Sequence, residues 1–252
     1  MGTNLKSLVF LLGLCLLFTR CDDKVEEFGK LEITYKLQYG GKTLAMFDHY
    51  QYPNGDSLFF SRFSFYMSKL TLSNSDTSLR IEDISYNNLT TSHETKAKAE
   101  QGYVKTYDQI PTDVYSTISF GLGVPSEDNN KNPNNFPSSN VLSEATEYWA
   151  GWNSYIFAKT EGNIDLAGNG GYDTGVSLHL GSNDAFRNLS FSKPIEIKSD
   201  EVTKLTIFID LRKEFENGTI YDIASDPQTH SLSQSAQVNQ LATNLKTSFH
   251  LE

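Results

Sequence analysis

The sequence predicts a single all-β domain: an antiparallel β-sandwich with long loops, a short tryptophan-bearing helix and a C-terminal helix. Apolar and polar side chains alternate in segment after segment, and clusters of Asn, Gly, Pro and Asp separate these segments. The 252-residue chain is also 12% aromatic, with 13 Tyr and 16 Phe. A chain so rich in aromatic side chains has the apolar surface that a packed core needs. All-β sandwiches of about this length commonly form one domain.

The N-terminus has the layout of a secretory signal over residues 1–21. Lys6 precedes an apolar run at 8–18, which is shorter than the roughly 20 residues that span a bilayer. Cys21 ends this segment and resembles the lipidation cysteine of bacterial lipoproteins. The acidic residues 22–29 are similar to the export tether of Bacteroidetes surface lipoproteins. We therefore expect an outer-membrane lipoprotein, anchored through a lipid on Cys21 and facing the periplasm or the cell surface.

Charge and cysteine content exclude several classes of function. The net charge of −10 argues against a nucleic-acid partner, which would need a Lys/Arg surface. Both cysteines, Cys15 and Cys21, lie in the signal segment, so the body of the protein has no thiol for a disulfide or a metal. The chain has no G-x-S-x-G elbow, no phosphate-binding G-x-x-x-x-G-K-[ST] and no H-E-x-x-H. These absences favour a protein that is not an enzyme.

The sandwich domain is predicted over residues 30–250. Period-two alternation predicts strands in eight segments, at residues 31–39, 63–72, 79–84, 114–122, 155–160, 176–180, 189–197 and 202–211.

Three further segments depart from the strand pattern. The Asn- and Pro-rich stretch 126–137 predicts a long loop. A short helix is predicted to begin at Ser143, with Trp149 and Trp152 spaced i, i+3 on one face. Apolar residues at helical spacing within 234–249 predict an amphipathic helix near the C-terminus.

Candidate metal ligands are few. His179 projects from the face of its strand opposite to the apolar side chains of Leu178 and Leu180, either as a half-exposed strand residue or as a metal-binding imidazole. His49 lies three residues after Met46, and the pair is a second, weaker candidate for copper, although Met46 is more simply a core residue.

The other histidines and a glycine-rich turn carry weaker signals. His93 is expected in a solvated loop and His230 in a turn. Oxygen ligands at Asp165, Asn169 and Asp173 loosely suggest Ca²⁺, although their spacing matches no EF-hand loop.

Several motifs together resemble the MbnP-like family of secreted proteins. They are FGLGVP at 120–125, YWAGWNSYIFAKTEG at 148–162 and LHLG at 178–181, in that order. The resemblance implies a β-rich periplasmic or outer-membrane protein. Some members bind copper through His and an oxidised Trp, with a dihaem enzyme as partner. The matching motif positions here are Trp149, Tyr155 and His179.

Three functions follow as alternatives. The first is non-enzymatic copper binding or handling, with His179 and the Trp149/Trp152 pair at the site. The second is a surface lipoprotein that captures a glycan or a partner protein through exposed aromatic side chains. The third is a purely structural envelope protein, in which both indoles are buried for packing.

Overall fold

Strands dominate the fold, as the sequence predicts. The computed structural model describes residues 26–230 and 232–252, and the predicted signal segment with Cys21 lies outside them. The described strands are β1 (Phe28–Tyr39), β2 (Lys42–Thr43), β3 (His49–Gln51), β4 (Ser57–Ser73), β5 (Ser78–Asn88), β6 (Tyr103–Pro111), β7 (Asp113–Leu122), β8 (Tyr148–Trp149), β9 (Ser154–Asp165), β10 (Thr174–Gly181), β11 (Arg187–Ile197), β12 (Val202–Asp210), β13 (Glu216–Asn217), β14 (Thr219–Ile220), β15 (Gln228–Thr229) and β16 (Phe249–Leu251). The described α-helices are α1 (Lys96–Gln101), α2 (Ser126–Asn129), α3 (Arg212–Phe215) and α4 (Ser235–Ser248).

Two sheets form the sandwich. One has the strand order β16-β12-β1-β2, with β6 also paired to β1. The other has the order β11-β7-β4-β9-β10-β15, with β3 and β5 on β4 and β8 on β9. The predicted β-sandwich is confirmed, and most strand pairs are antiparallel, but the sheets are mixed, because β1 pairs with β12, and β10 with β15, in parallel. Alternating hydrophobicity fixes which face a side chain takes, but it does not fix the direction of the neighbouring strand.

The core lies between the two sheets. Leu31, Ile33 and Tyr35 on β1 are fully buried and alternate with more exposed side chains. Tyr35 packs edge-on against Phe65 of β4, with ring centroids 6.0 Å apart, and Phe65 packs against Phe249 of β16 at 5.4 Å. The aromatic content of the sequence is therefore used to join the sheets across the core.

The predicted tryptophan-bearing helix does not form. Single 3₁₀ turns at Val141–Ser143 and Ala145–Glu147 lead into β8, and the chain then reverses in a turn in which the N–H of Trp152 donates to the carbonyl of Trp149 at 3.0 Å. The side chains of Asn140 and Glu144 accept hydrogen bonds from backbone N–H groups two residues on, which favours short turns over a continuous helix.

The remaining boundaries differ only in detail. β1 begins at Phe28, so the last two residues of the predicted tether belong to the sheet. The Asn-rich loop contains α2 and a 3₁₀ turn at Pro133–Asn135. The predicted C-terminal helix is confirmed as α4, and it buries Val238, Leu241 and Leu245. Across residues 26–230 and 232–252, no helix is long and apolar enough to cross a membrane.

Candidate functional site

Two imidazoles meet on the face of the second sheet that points away from the core, where β10 pairs with β15. Leu178 is opposite Thr229 in this parallel pairing, so the next residues, His179 and His230, are neighbours on the same face. The hydroxyl of Thr229 accepts from the N–H of His179 and donates to its carbonyl, both at 2.9 Å. The two imidazole centroids are 4.8 Å apart. The fold therefore places a second histidine beside His179, which the sequence did not predict.

Both Nε2 atoms of the pair have polar neighbours. Nε2 of His179 lies 2.8 Å from Oε1 of Glu161 on β9 and 3.2 Å from Oγ of Ser177. The same Ser177 hydroxyl is 3.2 Å from Nε2 of His230. By contrast, Nδ1 of His179 is buried and has no hydrogen-bond partner among the described residues. An unpaired buried nitrogen of this kind is costly unless something else satisfies it.

The pKa shifts of Glu161 and His230 favour the binding of a cation by the imidazole nitrogens. The hydrogen bond from His179 lowers the pKa of Glu161, against the opposing effect of burial, and the positive charges of Arg62 and Lys159 lower it further. Burial lowers the pKa of His230, and repulsion from His179 adds to this effect. At neutral pH Glu161 is therefore ionised and His230 is neutral, with a lone pair available.

Trp149 covers the imidazole pair. Its ring stacks on His230 at a centroid distance of 5.0 Å and meets His179 edge-on at 6.1 Å. Trp152 stacks on Trp149 at 5.5 Å and is buried. Gly181 makes room for it, because a Cβ there would lie 2.6 Å from the Trp152 ring. The H-L-G motif therefore contains both a candidate ligand, His179, and the glycine that packs against the Trp152 ring, Gly181.

A buried ion-pair network holds the Trp149 segment against the sheet. Glu147, two residues before Trp149, has one carboxylate oxygen 2.9 Å from Arg62 and the other 2.8 Å from Lys159. The Glu147 and Lys159 side chains are only 5% and 8% exposed. Pulling this segment away would leave charges without partners in a poorly solvated place, so the indole is held firmly over the imidazoles.

A model of the family described as MbnP matches residues 28–233. The chain belongs to the MbnP family. The solved structure of MbnP from Methylosinus trichosporium is similar with a TM-score of 0.51 and 10% identity, over 77% of this chain and 80% of that one. This level of likeness shows a shared fold. Among curated proteins, none matches the chain significantly.

The structure of this MbnP-family chain brings some of the predicted site residues together. The ring of Trp149 contacts the rings of both Trp152 and His179. Tyr155 is fully buried, and its hydroxyl donates a hydrogen bond to the carbonyl of Leu142. Its ring packs against Tyr148 at 5.1 Å, so Tyr155 supports the segment that carries Trp149.

His49 lies elsewhere on the MbnP domain. It is exposed and stacks on Tyr172 at 4.6 Å, whereas Met46 is buried in the core. The two side chains of this candidate pair therefore occupy different environments. The role of His49 in metal binding stays a prediction.

Two expectations about other histidines are wrong. His93 is fully buried: its Nε2 accepts from the N–H of Leu37 at 2.9 Å, and burial lowers its pKa to about 4. His230 follows β15 and faces His179 instead of lying in a turn. In the sequence His230 lies 51 residues after His179, so no local pattern places the two side chains together.

In the glycine-rich turn, the side-chain oxygens of Asp165 and Asn169 accept hydrogen bonds from backbone N–H groups of the turn itself. The Asp165 carboxylate accepts from the N–H groups of Asn169 at 3.2 Å and Gly170 at 2.6 Å, and the Asn169 side chain accepts from Gly171. In the part of the chain that the structure describes, no three His, Cys, Asp or Glu side chains form a group that could hold a metal ion. The Ca²⁺ suggestion has no further support here.

Proposed function

We propose that this MbnP-family protein is a non-enzymatic copper-binding protein of the cell envelope, with His179 and His230 as nitrogen ligands beneath Trp149. The observation that carries the proposal is the imidazole pair itself, built by two parallel strands and covered by an indole. Membership of the family, some of whose members bind copper, supports it. Copper is cargo in this proposal, and the protein's task is to hold it and to shield it from solvent.

The chemistry of the donors suits the ion. Neutral imidazole nitrogen is a good ligand for copper, and Cu²⁺ has the highest affinity in the divalent series. The lowered pKa of His230 keeps that ring in its binding form at neutral pH. Nδ1 of His179, which has no hydrogen-bond partner in the described part of the chain, is a further nitrogen that could bind the ion. No thiolate competes with these nitrogens, because both cysteines lie in residues 1–21.

Trp149 is the indole to examine for oxidation. The family resemblance implies an oxidised tryptophan, and Trp149 contacts both imidazoles, whereas Trp152 stacks on Trp149. Conversion of Trp149 to kynurenine would appear in the intact mass as one oxygen gained and one carbon lost. Peptide mapping would place the change on Trp149 or on Trp152.

Copper retention tests the proposal directly. Untagged protein is treated with a chelator, loaded with Cu(I) or Cu(II), desalted and analysed for metal. We expect close to one equivalent in the wild type and a loss of most of it in His179→Ala and His230→Ala. His250→Ala is the matched control, because His250 stacks on Phe208 in the other sheet. Retention below about a tenth of an equivalent in the wild type would remove the copper proposal.

The same assay decides the role of His49. If this residue is a ligand, His49→Ala loses copper as His179→Ala does. If His179 and His230 form the site, His49→Ala retains as much copper as the His250→Ala control.

We propose glycan capture as a second candidate function, because the protein also has an aromatic patch in which Phe47 and His49 are exposed and Phe59 and Tyr172 are half-buried. Phe47 is 58% exposed and packs on Phe59 at 6.0 Å, and Tyr172 packs on Phe59 at 5.4 Å. Phe47 and Tyr172 both have positive φ, 65° and 47°, a strained conformation for bulky residues. Binding of envelope polysaccharide that is lost in Phe47→Ala would support this candidate, and no binding by the wild type would remove it.

Anchoring in the membrane is a further part of the proposal. A lipid on Cys21 would send the wild-type protein into the detergent phase in a Triton X-114 partition, and Cys21→Ser would move it to the aqueous phase. Cys15→Ser is the matched control, because it changes the other cysteine of the signal segment. Equal partitioning of the wild type and Cys21→Ser would argue against the lipid.

A further inference from the structure

Glu161 contacts one of the two ring nitrogens of His179. A carboxylate only accepts hydrogen bonds, and a neutral imidazole has one N–H. Oε1 of Glu161 lies 2.8 Å from Nε2 of His179, so the N–H is on Nε2. In the neutral ring the lone pair is then on Nδ1, which is the buried atom without a partner among residues 26–230 and 232–252.

We infer that Glu161 is a positioning residue that fixes His179 in its Nε2–H tautomer and thereby makes Nδ1 the atom that binds copper. The inference rests on the proposed function for its metal and deepens it to the level of a single atom. A carboxylate that holds the far nitrogen of a metal-binding imidazole fixes the orientation of the ring and raises its basicity.

The surroundings of Glu161 suit this role. Glu161 is opposite Ser177 in the register of β9 and β10, so His179 is its diagonal neighbour on the same face. Arg62 is opposite Glu161 in the register of β4 and β9, so its cationic side chain is on the same face as the carboxylate. An ionised carboxylate accepts a stronger hydrogen bond than a neutral acid would.

The backbone of His179 is fixed independently of its ring. Thr229 bonds to both the N–H and the carbonyl of His179. Loss of the Glu161 carboxylate should therefore release the ring without releasing the strand. A change in copper affinity can then be assigned to the imidazole and not to a rearranged sheet.

The first experiment reads the tautomer in metal-free protein. In ¹⁵N-histidine-labelled protein, long-range ¹H–¹⁵N spectra separate a protonated from an unprotonated ring nitrogen. We expect Nε2 of His179 to be protonated and Nδ1 to be unprotonated in the wild type and in Glu161→Gln, whose amide oxygen can still accept. In Glu161→Ala we expect a mixture of both tautomers or faster exchange of the Nε2 proton.

The second experiment uses Cu(I), which is diamagnetic and leaves the spectra readable. Cu(I) should shift the Nδ1 resonance of His179 and leave Nε2 protonated. Copper affinity should fall by about 10- to 100-fold in Glu161→Ala and by much less in Glu161→Gln. Glu196→Ala removes an exposed glutamate from β11 and serves as the matched control.

Each contrary result has a separate meaning. A proton on Nδ1 in the wild type, or a Cu(I) shift at Nε2, would overturn the inference and would make Glu161 itself the candidate ligand. Glu161→Ala with wild-type affinity would overturn the positioning role while the copper proposal stands. A wild type with the expected tautomer that binds no copper would overturn the proposed function, and Nδ1 as its ligand, without affecting the hydrogen bond.

Discussion

Glu214 is a fully buried acid in α3, next to the strand that carries Glu161. Its Oε2 accepts from the hydroxyl of Thr160 at 2.8 Å, while its Oε1 is buried without a partner among the described residues. Burial raises the pKa of Glu214 to about 8 from 4.5, and the hydrogen bond from Thr160 opposes this only in part. Glu214 is therefore protonated and neutral in the folded protein at pH 7.

This raised pKa makes the protein less stable as the pH rises. The unfolded chain releases the Glu214 proton near pH 4.5, whereas the folded chain keeps it until about pH 8. The stabilising contribution is fully present below the unfolded pKa and is lost between these values. At 1.36 kcal/mol per pKa unit, the free energy of unfolding falls by about 3 kcal/mol between about pH 5 and pH 8.

Glu214→Gln isolates this effect. Glutamine has nearly the same shape, can still accept from Thr160 and does not titrate. We expect urea unfolding, followed by tryptophan fluorescence, to give similar stabilities for the two proteins near pH 5. The variant should be the more stable by about 3 kcal/mol near pH 8. A difference between the two proteins that stays constant across this pH range would refute the reasoning, whatever its size.

Two further predictions concern packing and acid stability. Because burial lowers the pKa of His93 to about 4, the unfolded chain takes up the proton first, and the free energy of unfolding should fall by about 3 kcal/mol as the pH drops from about 6.5 to 4. His93→Gln should flatten this part of the urea-derived stability profile, and an unchanged slope would contradict the burial argument. Gly181→Ala should cost about 1–3 kcal/mol in thermal unfolding and alter the near-UV circular dichroism, because its Cβ meets Trp152. Gly175→Ala, in the same strand with nothing within 4 Å, is the control, and equal effects of the two substitutions would contradict the steric explanation.

The strands were predictable because their signal is local. Alternation from Leu31 to Tyr39 is enough to define β1, whatever lies beside it. The parallel partner of β1 depends on a strand that lies more than 160 residues further along the chain, and no local pattern encodes it. The i, i+3 spacing of Trp149 and Trp152 fits a helix face, but it fits a tight turn equally well. The side-chain hydrogen bonds of Asn140 and Glu144 to nearby backbone N–H groups favour short turns in this segment.

The candidate site was predictable only in part, for the same reason. His179 was recognisable because it lies between Leu178 and Leu180 in an alternating strand and therefore projects from the face opposite to these apolar side chains. His230 has no such context, and it becomes a neighbour of His179 only through a two-residue strand and the hydroxyl of Thr229. Likewise, the polar neighbours Ser92 and Glu94 suggested that His93 is exposed to solvent. Its ring is instead buried in the core, where it accepts a hydrogen bond from the N–H of Leu37.

The distance along the chain between the two imidazoles has a thermodynamic consequence. They are 51 positions apart, and only the closed pairing of β10 with β15 brings them together. Denatured chains would present two isolated histidines in place of a bidentate pair. An ion that bridges the rings must then add to the free energy of unfolding with the logarithm of its concentration. If copper binds as proposed, its release and the loss of the native state are linked, so the melting temperature at graded copper concentrations would report occupancy without any spectroscopic label.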